Sequence, residues 1–80
     1  MNPERLQLKG MLAESKKRYR EFDTQASGSV LIIRSLLNPY EDISKLDTEK
    51  ALSSMKLLND VKAEIVEVSQ KIKNLEAELE

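Results

Sequence analysis

The residues able to do chemistry in this chain are few, and their types and spacing argue against catalysis. Among 80 residues there is no His and no Cys, so the usual proton shuttles, thiolate nucleophiles and soft metal ligands are missing. Carboxylates, Lys, Tyr and Ser are left for acid–base or nucleophilic work. Asp and Glu are spread along charged helical patterns with no pair set into an apolar stretch, which reads as solvated helix surface. No phosphate-binding loop, dinucleotide fingerprint, nucleophile elbow, zinc spacing or Asp-x-Asp-x-Asp-Gly calcium loop occurs, and Gly10 and Gly28 stand alone. A protein without enzymatic activity, cofactor or metal is expected.

Two features point to binding instead. The first is the basic run Lys16, Lys17, Arg18 and Arg20, a candidate nucleic-acid contact that would neutralise a few phosphates. Thirteen basic residues against 14 acidic ones leave a net charge of −1, so nucleic acid is not the expected partner and the run reads as a face paired with acidic neighbours. Tyr19, inside the run, falls on the apolar seam rather than on a base-stacking surface. The alternative function is a nucleic-acid accessory or regulatory inhibitor protein using this basic face.

The second feature is the segment Val30-Leu31-Ile32-Ile33-Arg34-Ser35-Leu36-Leu37, apolar nearly all round. A helix apolar on every side is buried on every side, and one facing helix cannot cover it. Self-association through this end is the leading expectation, with Val30, Leu31, Ile32, Leu36, Leu37, Tyr40, Ile43 and Leu57 as contact residues. Tyr40, Ile43 and Leu46 are expected to plug the end of the bundle, Tyr40 with its hydroxyl in water. Met11, Met55 and Leu57 could line an adaptable binding groove, although methionine at helical spacing is more often core.

The elements that must carry these residues are two long helices. Asn2 is a good N-cap, Pro3 suits the first helical position, and Glu4 complements the positive end of the dipole. Apolar residues then recur at Leu8, Leu12, Tyr19, Phe22, Ala26 and Ile33, with Ser15, Ser29 and Leu36 on the same series. Alternating steps of four and three mark a single buried seam. Gly28 costs about 1 kcal/mol against Ala, yet the spacing stays in phase across it and a continuous helix is favoured over a break. Asn38-Pro39 ends the helix near Leu37. A connection over 38–46 follows, in which Asp42-Ile43-Ser44 offers one turn. Asp47 caps a second helix whose seam reads Ala51, Ser54, Leu58, Val61, Ile65, Val68, Ile72, Leu75 and Leu79.

The predicted fold is therefore all-α. It is a single domain over 1–80 built as an antiparallel, coiled-coil-like hairpin, with helices at about 3–37 and 47–79, paired into a four-helix bundle dimer. A fold point near Asp42 makes facing residue numbers sum to about 85. Small Ala26 to Ser29 then oppose Met55, Leu57 and Leu58, and bulky Leu31 to Ile33 oppose Ala51, Ser53 and Ser54. Residues 1–37 carry seven basic and four acidic groups and the remainder six and ten, a contrast that also selects the antiparallel pair. In that register Lys16 to Arg20 lie near Glu64 and Glu67, and Arg5 and Lys9 near Glu76 and Glu78.

Composition agrees with this reading. Two Gly, two Pro and three aromatics are too few for a turn-rich β fold. A short chain without disulfides or metal gains burial mainly by oligomerisation, so a homodimer or higher homo-oligomer is expected, with a further protein partner left unidentified. No apolar run approaches the ~20 residues of a membrane span, so no membrane association is expected. The opening Met-Asn-Pro-Glu-Arg has no apolar stretch, so a secretory signal is not expected, and the lack of Cys fits a cytoplasmic chain.

Asn2-Pro3-Glu4-Arg5-Leu6-Gln7-Leu8-Lys9-Gly10, together with Leu37-Asn38-Pro39-Tyr40-Glu41-Asp42 and Leu46-Asp47, resembles short helical proteins from the early regions of Mu-like prophages. These motifs cover about a third of the chain. The resemblance implies a bacterial or phage-encoded cytoplasmic protein, encoded near functions such as host-nuclease inhibition or transposition. It carries over no functional residue, because those proteins have no catalytic motif.

Overall fold

Two helices folded back on one another account for nearly the whole chain. In the computed structural model, which describes residues 3–80, α1 spans Pro3–Leu36, a 3-10 turn spans Ile43–Lys45 and α2 spans Thr48–Leu79. No strand occurs among the described residues, and α1 and α2 pack along their length as an antiparallel hairpin, a rod of 64 × 15 × 14 Å. The expected all-α hairpin is what forms. The Asn2 cap lies outside the described residues.

α1 passes through Gly28 without a break. A seam that stays in phase on both sides outweighs the entropy one glycine adds to the unfolded chain. The helix stops where Pro39 forbids it to continue: the Leu37 amide still donates to the Ile33 carbonyl at 3.0 Å, and Asn38 then leaves the helical region. Two side chains shape the connection. Asn38 Oδ1 accepts from the Tyr40 amide at 3.0 Å. Asp42 Oδ1 accepts from the amide and hydroxyl of Ser44 at 3.1 and 2.9 Å, setting up the turn expected around Ile43. Asp47 Oδ1 accepts from the Lys50 amide at 3.0 Å, the bond expected of an N-cap.

The seam is the one the spacing defines. Ser15, Ile33, Ala51, Val68 and Leu75 are buried, and the other seam positions from Leu8 to Leu79 are half-buried. Tyr19 is the exception, leaning outward with 37% of its surface exposed. The register follows expectation as well. Arg5 donates to the Leu79 carbonyl at 3.1 Å, and Ile33 lines one groove with Ala51 and Leu52, pairs whose numbers sum to 84 or 85. Large Ile33 therefore meets small Ala51, which lets the helices approach closely.

Two expectations fail at the turn. Tyr40 is 95% exposed and Ile43 82% exposed, so neither plugs the end of the hairpin. The bonds from Asn38 and Asp42 satisfy the connection locally, and nothing lies over the tip for those rings and chains to pack against. Leu46 alone is half-buried there.

Candidate interaction surface

The heptad phase of each helix decides which side its off-seam residues occupy. Lys16, Asp23, Val30 and Leu37 follow one another at seven-residue steps along one edge of α1. Met55, Lys62, Ser69 and Glu76 do the same along an edge of α2. The Lys16 ammonium lies 3.7 Å from the Glu76 carboxylate, so these two edges border the same side of the hairpin. On that side, in the half nearer the turn, Leu37, Leu52 and Met55 line a groove floored by Ile33 and Ala51. Val30, at the level of Met55, extends it. All four rim residues are exposed.

The opposite side is more charged. Arg18, Glu64 and Lys71 share a concavity there with Glu67, and Ile32 and Leu57 lie further along the same edges, both exposed. Leu31 points away from α2 and is 65% exposed. The expected contact set thus divides: Val30 and Leu37 belong to the apolar side, Ile32 and Leu57 to the charged side, and Leu31, Tyr40 and Ile43 project outward. Leu36 is half-buried on the seam and faces α2 rather than any partner. Leu52 was invisible to seam counting, because it sits off the seam of α2. Its signal was its place three residues before Met55, which sets it beside the Met55 edge.

The basic run does not form one patch. Lys16 turns to the apolar side and pairs with Glu76. Arg18 turns to the other side, with its guanidinium 5.8 Å from the Phe22 ring centre and Glu64 and Glu67 nearby. Lys17 and Arg20 lie on the outer surface of α1 beside Glu21, Thr24 and Gln25. Four cations spread around a helix present few of their charges to any one duplex. Among the described residues no cluster of acidic side chains is placed to hold a metal ion, and no helix is long and apolar enough to cross a membrane.

Comparison with protein-family models, curated proteins and solved structures gives no match.

Proposed function

We propose that this protein is a non-enzymatic interaction module that works as a homo-oligomer, its hairpins joined through the apolar half nearer the turn. The observation that carries this reading is surface area. The chain exposes 6450 Å², whereas a compact monomer of its 9.1 kDa mass would expose about 4,900 Å². The excess is at least what one partner gives up in a specific protein interface, about 800 Å² per chain. The core explains the excess: a single seam encloses no large side chain completely, and even Leu75 and Ala51 keep 6% of their surface in contact with solvent.

The exposed apolar residues are concentrated where a second hairpin would be most effective. Leu37, Leu52 and Met55 line one groove together with Thr48, and exposed Val30 stands at the level of Met55, an arrangement suited to a four-helix bundle. A bacterial or phage-encoded cytoplasmic setting belongs to the same proposal, supported by the Cys-free composition and the opening motif. Sedimentation equilibrium across a wide concentration range tests the reading. Dimers or larger species are expected at micromolar concentration, and a folded monomer persisting to high micromolar concentration overturns it.

A further inference from the structure

The apolar side is only half a side, and that fixes how a second copy can lie on it. Beyond Met55 and Val30, moving away from the turn, the same two edges and the positions beside them become mainly charged, with Leu6 and Val66 exposed among the charges. Lys9, Lys16, Arg20, Lys62 and Lys73 stand there against Asp23, Glu76 and Glu80, an excess of positive charge. Two hairpins packed with their turns at the same end would place both basic halves at one level. Like charges held together in this way oppose association.

We propose that the occupant of the groove is a second copy running the opposite way, overlapping the first only over the half nearer the turn. This rests on the self-association proposed above and adds its geometry. A two-fold axis near the level of Ile33 and Leu52 superposes the apolar half of each copy on that of the other, and the basic halves diverge to opposite ends. The turn lies about nine residues, or ~13 Å, beyond that axis. Each tip therefore reaches the level of Lys62 on the second copy.

Complementary groups meet there. The tip carries Glu41 and Asp42 along with Lys45, and the level it reaches carries Lys62 beside Asp23, with Arg20 on the adjoining outer surface of α1. Beside Lys62 a shallow groove is lined by Met55, Leu58 and Asn59, a seat for the exposed Tyr40 and Ile43 that their own hairpin leaves bare. One arrangement thus covers the apolar half, separates the like charges and gives the tip a partner.

With an overlap of about 25 Å, the dimer is a rod of about 100 Å, against 64 Å for one hairpin. Small-angle scattering of the dimer reads this length, and thiol cross-linking reads the contact. The chain has no Cys, so Y40C and K62C each introduce a single exposed thiol. When the two variants are mixed, a short bis-maleimide should join Y40C to K62C in preference to Y40C to Y40C, and the wild-type dimer should measure near 100 Å. A dimer no longer than about 65 Å, with Y40C joined mainly to itself, means that the turns share one end; it overturns this arrangement while leaving self-association intact. A monomer at every concentration overturns both.

Discussion

Lys16 pairs with Glu76 at 3.7 Å although the residue level with Glu76 in this register is Lys9, seven positions away. In a helix each Cα–Cβ bond tilts toward the N-terminus. In an antiparallel pair Lys16 therefore leans down α1 toward the level of Lys9, and Glu76 leans back along α2 toward the level of Lys16. The two side chains converge across about 10 Å of axial offset. Glu64 and Glu67, closer to the level of Lys16, lie beyond the opposite edge of the seam and face Arg18 instead.

The Lys16–Glu76 pair should contribute little stability. Both side chains are about half exposed, at 50% and 51%, so solvent screens the attraction and ordering two long chains opposes it. Lys16→Ala is expected to lower unfolding free energy by no more than about 0.5 kcal/mol, with the loss shrinking further as salt is added. Urea unfolding at low and high ionic strength measures both quantities.

Gly28 should be replaceable with benefit. A Cβ placed on it meets nothing within 4 Å, and the helix runs through it without positive φ. Gly28→Ala removes backbone entropy from the unfolded chain at no steric cost, so it should stabilise the hairpin by about 0.5–1 kcal/mol. A rise in the thermal midpoint, followed by circular dichroism, checks this. Unchanged or lower stability would mean that the bare position serves a close contact outside the hairpin.

Gly28 also shows how far the sequence could be read. Its ambiguity was resolved by periodicity: Ala26, Ser29 and Ile33 keep the seam in phase, and the structure places all three against α2. Register was legible for the same reason, since one loop position and equal rise per residue fix the level of every partner. What a level cannot express is side. Lys16 and Arg18 occupy nearly the same level yet turn to opposite edges, so their acidic partners differ. The turn was misread because Tyr40 and Ile43 are apolar and adjoin an apolar end. Their exposure follows from the bonds to Asn38 and Asp42, which fold the connection on itself without burying anything.

The seam should account for most of the stability of the hairpin. Leu75 is buried at 6% exposure, whereas Leu31 is 65% exposed. Leu75→Ala removes packed methyl groups and is expected to cost about 2 kcal/mol, toward the low end for core leucines because the shallow core can relax around the gap. Leu31→Ala should cost no more than about 0.5 kcal/mol. Comparable losses for the two would place Leu31 in an interface more extensive than the groove side.

Leu52 offers the sharpest separation of folding from association. It is 59% exposed, so a charge placed there remains solvated in a lone hairpin, and helix content should not change. In the proposed dimer it lies close to the two-fold axis, where Leu52→Glu sets two carboxylates near each other in an apolar groove. Burying such charges without partners costs several kcal/mol, so the dissociation constant should rise at least tenfold, or about 1.4 kcal/mol. Leu57→Glu is the matched control: it is similarly exposed at 63%, lies on the same helix and faces the opposite side. Light scattering should find L52E monomeric and L57E still associated, with both retaining wild-type helicity. Dissociation of L57E rather than L52E would move the interface to the side of Arg18 and Glu64, where Ile32 would take the place assigned to Leu37.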